Sequence, residues 1–408
     1  MDSAYVDRFR ERSAYESART GPPDGFPRLR DLPLGRYTDP QFQALEDQYL
    51  FKRVWLYAAH DSELPSPGSY KLCDVAGAPI LLARGEDGEV RGFYNACRHR
   101  GAPVVRGTCG TARMLTCQFH SWSYDLAGEL VRVPDERDFV DLDKSERGLP
   151  TVRCEAWGGW HFVNLDPHAG PLLEWLSPIP RVLPELAAAP FRVIDVKQVE
   201  LGCNWKILAE AFLEVYHART IHPKTIGPSL DTRGTVITLY DHGHQSMVSP
   251  VNRGTRNDNR ELLPVFERAT GLWLDDVNPA HGIFPNLITP LDARGFPFLV
   301  FWPLAIDRTR LDITWFAADW GEGDMPIDQR EIWQHRLQRF DTVMAEDYEN
   351  LEPIQRSMAS AAHGGQAVNY QERRIWHVQA WIDKVIGPER IPAHLRVPDL
   401  LADWVDHP

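Results

Sequence analysis

Cys97-Arg98-His99-Arg100-Gly101 and Cys117-Gln118-Phe119-His120 are the two segments whose reading decides what this chain is built to hold. Each offers one thiolate and one imidazole, and turn-forming residues beside both let the loops fold toward a common point. The pattern is C-x-H-x17-C-x2-H. Zinc also takes two Cys and two His, but finger-type sites keep the cysteines together ahead of the histidines. Here the order is interleaved, which favours a binuclear site. A disulfide between Cys97 and Cys117 would leave both histidines without a task. Two core thiols and two hydrogen-bonded histidines make the plainest arrangement; four ligand-type residues at matched spacing weigh against it.

The pattern closely resembles a Rieske-type [2Fe–2S] centre, in which two Cys hold one iron and two His the other. The flanking sequence has the grammar of an antiparallel β unit. Short runs such as Tyr70–Val75, Pro79–Arg84 and Val90–Asn95 are punctuated by Ser66-Pro67-Gly68 and Glu86-Asp87-Gly88-Glu89. Ser123–Leu130 repeats strand, turn and strand, and Trp160–Leu165 reads as the closing strand. The expected organisation is an arm over residues 1–45, packed on the catalytic domain or a neighbour, a β domain over 46–166 and a second domain over 167–408.

The second domain starts after a Pro-rich stretch from Pro171 to Pro190. Strands are expected at Phe191–Leu201, Gly234–Tyr240, Ile283–Thr289, Phe296–Trp302 and Leu311–Ala318, and helices at Asn204–Ala218 and about Asp328–Met358. Strands bracketed by helices make the class α+β. With 408 residues, 43% hydrophobic and 11% aromatic, the chain can bury a large core. No apolar run reaches membrane-spanning length and Met1–Tyr5 does not read as a signal peptide, so the cytoplasm is the expected location. Cys73, Cys109, Cys154 and Cys203 show no framework spacing and are expected to be reduced, mostly buried thiols. A net charge of −13 argues against nucleic acid or anionic membrane as a partner.

Cys203–His217 is apolar around most of a helical circumference, with Glu210, Glu214 and His217 expected as a stripe on one face. His222 follows His217 by five residues and precedes Pro223. Five helical steps would hold the two imidazoles about 140° apart. The residue before a proline avoids the α region, so the helix is expected to break there and let His222 return beside His217. In the later helix, Trp333, Leu337, Phe340, Met344, Asp347 and Leu351 form a seam that only Asp347 interrupts. A carboxylate buried there costs several kcal/mol, roughly, unless paired or metal-bound. Glu346 and Glu349 lie off the seam and are expected to be solvated. Two His and one carboxylate with open positions make the facial triad of non-haem Fe(II) oxygenases. Taken singly, His217 is better read as a core histidine paired with Glu210 or Glu214, and His222 as a helix-terminal residue; Asp347 in the seam and the upstream Cys-His pairs turn the balance to the triad.

Both sites in this order resemble the α subunits of Rieske non-haem iron oxygenases, the aromatic-ring-hydroxylating family. The likeness runs over about residues 45–360 and includes Cys97–Gly101, His120–Tyr124, Asn204-Trp205-Lys206, Glu214–His217, His222-Pro223, Ile283–Leu287 and Glu346–Asn350. It implies an all-β cluster domain and a helix-grip, START-like catalytic domain built on an antiparallel sheet. It further implies a [2Fe–2S] cluster on Cys97, His99, Cys117 and His120, and Fe(II) on His217, His222 and Asp347. Glu214 is implied as the hydrogen-bonded bridge between a cluster His of one subunit and an iron His of the next. That acid is most often Asp in ring hydroxylators; here it is Glu, as in relatives acting on quaternary amines. Ser121 stands where Gly is frequent, and Ala211 where Asn often follows the preceding Glu.

The resemblance implies a terminal oxygenase that uses O2 to hydroxylate (mono- or di-) or oxidatively demethylate a small organic, aromatic substrate, with a betaine-like quaternary-amine monooxygenase of the same family as the alternative. Electrons are expected from an NAD(P)H-dependent flavin reductase, with or without a ferredoxin, because the chain has no G-x-G-x-x-G opening a βαβ unit. The expected assembly is a homotrimer, with or without a β subunit. Phe212, His281, Ile283, Phe284, Asn286 and Trp302 are the candidate pocket walls, with core packing the competing use of the aromatics. A pure electron carrier would need the cluster alone, and a zinc-stabilised binding module would be colourless.

Overall fold

The computed structural model describes residues 3–252, 277–291, 295–360 and 363–407. The chain resolves into two compact units, one formed by residues 51–175 and the other by 1–50 with 176–408.

The unit of residues 51–175 contains ten short strands: β1 Leu56–His60, β2 Ser69–Val75, β3 Ala78–Arg84, β4 Val90–Tyr94, β5 Cys109–Thr111, β6 Leu115–Thr116, β7 Ser123–Tyr124, β8 Leu130–Arg132, β9 Thr151–Trp157 and β10 Trp160–Asn164. Seven pair in the order β1-β10-β9-β4-β3-β2-β5, and β6-β7-β8 form a small sheet of their own. Every pairing among them is antiparallel. Hairpins make this possible: Ala76 and Gly77 turn β2 into β3 with positive φ at both positions. The interior is apolar, with Leu81, Phe93, Val104, Leu115, Trp122 and Leu130 buried around Cys97 and Cys117.

In the other unit, seven strands are found among the described residues: β11 Phe191–Leu201, β12 Val236–Leu239, β13 Gln245–Pro250, β14 Val277–Ile283, β15 Leu287–Pro290, β16 Phe296–Ala305 and β17 Arg308–Ala318. They form one antiparallel sheet in the order β11-β17-β16-β15-β14-β13-β12. β16 starts Phe-Pro-Phe-Leu-Val-Phe-Trp, and all seven side chains are buried, as a strand covered on both faces requires. The helix Ile327–Met358 buries Trp333, Met344, Asp347 and Leu351, so the seam read from the sequence is the face that packs inward.

Three expectations change. The span 283–289 is not one strand: β14 ends at Ile283 and β15 begins at Leu287, with Phe284-Pro285-Asn286 as the turn between them. Proline cannot donate to a ladder, which suits it to that turn. The N-terminal 45 residues, for which no element is expected, contain a helix, Ser3–Ala18. Polar ties hold it: the Arg12 guanidinium donates to the Ile237 carbonyl at 3.1 Å, and Tyr370 donates to Glu16 at 2.9 Å. All six cysteines are unbridged, but only Cys203 of the four outside the loops is buried; Cys109 is exposed.

Candidate metal centres

The two Cys-His loops are built as matching turns. Gly101 N–H donates to the Cys97 carbonyl at 2.8 Å, and Ser121 N–H to the Cys117 carbonyl at 2.9 Å. Each turn closes on a residue with positive φ, +75° at Gly101 and +59° at Ser121. Glycine enters this region freely; serine does so at a cost. The preference for Gly at position 121 thus has a conformational origin, and Ser121 meets the same demand.

The turns place four donor side chains together. The Cys97 thiol lies 3.2 Å from the Tyr124 hydroxyl, which also accepts from Arg98 N–H at 2.9 Å. Burial and the adjacent Cys117 push the Cys97 thiol pKa up, against the Tyr124 hydrogen bond. The His99 and His120 rings are 4.6 Å apart, and His99 stacks on Trp122 at 4.9 Å. Arg100 donates to His120 Nε2 at 2.9 Å. Burial, with His120 and Arg100 close by, lowers the His99 pKa. His99 Nδ1 is buried and has no hydrogen-bond partner. A buried imidazole nitrogen left without a proton partner beside two unbridged thiols fits a metal-cluster ligand set.

The second centre differs from its expected construction. The helix after Cys203 covers only Trp205–Glu210, capped by Asn204, whose side chain accepts from Lys206 N–H. Lys206 is anchored by a fully buried ion pair to Glu46 at 2.8 Å. Beyond Glu210 the chain tightens into turns. The Glu214 carboxylate takes the backbone N–H groups of Tyr216 and His217, donors that a continuous helix would have given to carbonyls four residues back. Glu210, Glu214 and His217 therefore do not share a helical face. Glu210 instead accepts from Tyr37 at 2.8 Å, Gln379 at 2.7 Å and Gln366 at 3.0 Å. Burial pushes its pKa up, and those hydrogen bonds oppose the shift.

A four-residue helix, Ala218–Ile221, ends at His222, whose backbone (φ −111°, ψ 46°) is no longer helical. That break brings His222 back toward His217. One ligand atom from each of His217, His222 and Asp347 lies within 4.8 Å of the others. His222 Nε2 is 3.1 Å and His217 Nε2 3.6 Å from Asp347 Oδ1. Each ring's other nitrogen is held by a carboxylate: His217 Nδ1 donates to Glu214, and His222 Nδ1 to Glu346 at 2.7 Å. Carboxylate on Nδ1 and an open Nε2 is the usual posture of a metal-ligating histidine. Burial alone would lower both histidine pKa values; Glu214 and Asp347 reverse this for His217, and Asp347 and Glu346 for His222.

Glu346, which periodicity leaves on the solvated side, is the residue that holds His222. It also accepts from the Thr225 hydroxyl at 2.6 Å, and the Thr225 and His222 hydrogen bonds hold its pKa down. Its place beside Asp347, on the same helix, was the available signal.

A cavity of about 550 Å³ opens from the triad. One wall is a face of the sheet: Met247, Ala280 and Pro290 are cross-strand neighbours, as are Pro297 and Trp315, and all five line it. Of the six side chains expected there, only Phe212 does. Side chains alternate along β14, so Asn278 and Ala280 face the cavity while His281 lies on the other side, fully buried, its pKa lowered to about 3 by burial and Arg374. Ile283 and Phe284 line a separate small void with Trp205 and Val378. Asn286 donates to the Phe301 carbonyl and Trp302 to Asp312. These five serve the core.

A family model for the Rieske [2Fe-2S] domain matches residues 54–152, and one for the catalytic domain of the ring-hydroxylating alpha subunit matches residues 190–387. The chain belongs to the Rieske non-haem iron oxygenases, as an α subunit. Toluate 1,2-dioxygenase subunit alpha of Pseudomonas putida is 27% identical over 386 residues, covering 86% of this chain and 82% of that protein. 2-Aminobenzenesulfonate 2,3-dioxygenase subunit alpha of Alcaligenes sp. is 37% identical over 269 residues, 64% of this chain and 66% of that one. Among solved structures, a quaternary ammonium Rieske monooxygenase matches with a TM-score of 0.75 at 21% identity, covering 90% of this chain and all of that one (100%). Naphthalene 1,2-dioxygenase from Rhodococcus sp. gives 0.73 at 20%, covering 94% and 98%. At these identities the structures establish the fold. This Rieske oxygenase is an oxygen-using iron enzyme with a [2Fe–2S] cluster and a mononuclear iron. Family α subunits work with a reductase or ferredoxin and form oligomers. Among the described residues, no helix is long and apolar enough to cross a membrane.

Proposed function

We propose that this chain is the terminal oxygenase for a small aromatic substrate, which it hydroxylates or oxidatively demethylates in the cavity beside His217, His222 and Asp347. The observation that carries the reading is the posture of the triad: two imidazole Nε2 atoms and one carboxylate converge at one end of a cavity with an apolar middle, each Nδ1 already committed to a carboxylate. The donor set fits iron, which takes two His and one carboxylate and keeps open positions. Cys97, His99, Cys117 and His120 are the matching proposal for the cluster. Held there, the cluster supplies single electrons and the iron supplies dioxygen activation.

The protein's own part is positional. Glu214 and Glu346 fix both histidine rings in the Nδ1–H tautomer, which points Nε2 inward and makes the rings better donors. Phe212, Val215, Phe340 and Met344 offer the substrate apolar surface and keep water from the triad. Glu214 is further proposed as the link to a neighbouring subunit's cluster in a trimer; one end of that link, the hydrogen bond to His217, is already made. The relatives named for toluate, anthranilate and chlorobenzene favour an aromatic substrate.

The test combines metal content with product. The purified protein should show a Rieske EPR signal on reduction and about one further iron per chain. His217→Ala should lose that further iron and oxygen-18 incorporation while keeping the signal. A variant that retained both would sink the oxygenase reading. A panel of aromatic acids, aryl ethers, steroids and betaines, driven by a generic reductase, separates aromatic from quaternary-amine substrates.

A further inference from the structure

The cavity that begins at the triad ends in a different chemistry. Along the helix Ile327–Met358, Asp347, Met344, Val343 and Phe340 line it in succession, followed by Arg339 and Arg336. At 1.5 Å per residue, the Arg339 and Arg336 Cα atoms stand roughly 12 and 16 Å along the helix from that of Asp347. Among the described lining residues the acids are Glu214 and Asp347, both engaged with His217 at the triad end. The wall therefore runs from carboxylates, through an apolar middle, to guanidinium groups.

Arg336 is fixed in place. It lies over the Trp333 ring at 4.4 Å and the Trp315 ring at 5.3 Å, and donates to the Gly295 carbonyl at 3.5 Å. Stacking engages the face of a guanidinium and directs its N–H donors along the edge, in the ring plane. Arg339 and His335 are exposed as well as lining the cavity, which marks this end as its mouth. Two oxygens of a carboxylate or sulfonate match the donor edge of a guanidinium in spacing and charge, and a ligand anion at the opposite end would face two carboxylates.

We propose that Arg336 and Arg339 bind an oxyanion, a carboxylate or sulfonate, on the end of the substrate remote from the carbon that is oxidised. The proposal rests on the oxygenase reading above and narrows its substrate class to aromatic acids with the acid pointing to the cavity mouth. The two arginines set specificity: they hold the anion and so choose which carbon reaches the triad. Neutral arenes of the same shape share the apolar middle and forfeit this contact.

Binding is measured on the 408-residue chain without reductant, by calorimetry or by quenching of tryptophan fluorescence. The probes are matched pairs: benzoate with benzamide, naphthalene-2-carboxylate with 2-naphthamide, and biphenyl-4-carboxylate with its amide. In the wild type at least one acid should bind about ten- to a hundredfold tighter than its amide, the range expected of charge-assisted hydrogen bonds. The gap should shrink in high salt. In the double variant R336Q/R339Q it should collapse while amide affinity stays within about threefold. R330Q, on the same helix and outside the cavity lining, should leave it intact. Should R336Q disturb the tryptophan stack, R339Q changes an exposed side chain and must still narrow the gap. Acids and amides binding alike in every pair, no binding by any probe, or a gap that survives the double variant would each overturn the proposal. Its failure is separable from that of the oxygenase reading: turnover of neutral arenes without a gap leaves the oxygenase standing, whereas an intact gap with no oxygen-18 incorporation removes the oxygenase and leaves the oxyanion site.

Discussion

The two candidate centres are assembled in opposite ways. The four side chains around Cys97 and Cys117 come from two matching turns, each closed by its own hydrogen bond and set in a small β unit. The three around Asp347 come from a broken turn and from a helix more than a hundred residues later, and they are steadied by two further carboxylates. One centre is a local structure repeated; the other is a tertiary one. A local centre is expected to fail by losing a ligand, and a tertiary one also by losing an orienting partner.

The largest effects follow from removing a ligand. Cys97→Ser should abolish the visible absorbance and the EPR signal of the cluster, while iron at the triad remains measurable in the colourless protein. Loss of both metals together would mean the centres are not separately built, and the contrast would break. Glu346→Ala is the corresponding cut at the other centre. It leaves all three triad residues in place but frees His222 Nδ1, and a ten- to hundredfold, order-of-magnitude loss of iron affinity is expected. Glu346→Gln keeps an acceptor and should lose less. Equal behaviour of the two variants, or no change in either, would show that His222 needs no orienting carboxylate.

This contrast also explains what could be read from the chain in advance. The Cys-His turns are contiguous in sequence, so residue type and spacing carried nearly all their information. His222 was legible through Pro223, because a proline restricts the residue before it. Asp347 was legible as a carboxylate in an apolar seam. The stripe of Glu210, Glu214 and His217 was not, because helical periodicity assumes that backbone donors stay with backbone acceptors. Glu214 takes two of those donors and ends the helix, and Glu210 is drawn to Tyr37 and two glutamines from distant segments. The pocket wall failed for a related reason. Strand alternation says which residues share a face, but not which face of a doubly covered sheet meets the cavity, so His281 and Ala280 could not be ranked.

His281 gives the next prediction. An imidazole ordinarily titrates near 6.5, and burial with Arg374 nearby lowers this one to about 3. Between those values the unfolded chain binds a proton that the native protein does not, so stability falls as pH drops from 6.5 and is fully present above it. The contribution lost by pH 5 is about 2 kcal/mol. His377, lowered to about 4, acts in the same direction in the same unit. His281→Gln should reduce the change in stability between pH 7 and pH 5 by that amount, measured by denaturant unfolding at each pH. An unchanged pH slope would show that His281 is not buried as a neutral ring, and with it the assignment of the two faces of β14 would fall.

The smallest effect tests the equivalence of the two turns. Gly101 and Ser121 hold the same position, four residues after a cysteine and at positive φ, and both donate to that cysteine's carbonyl. Only serine is strained there, at a cost of about 1 kcal/mol. The Ser121 carbonyl, which accepts from the Ser123 hydroxyl, is backbone and survives any substitution. Ser121→Gly relieves the strain and gives back part of the gain through the greater freedom of glycine in the unfolded chain, so a net stabilisation of up to about 1 kcal/mol is expected. Ser121→Val should destabilise by more than that, since a β-branched residue fits this region worst. The measurement is the denaturant midpoint for loss of the cluster's visible absorbance, with triad iron as the control. Opposite signs for the two variants would mean that backbone conformation alone governs position 121, and that the second Cys-His loop is the first one rebuilt around a residue less suited to its turn.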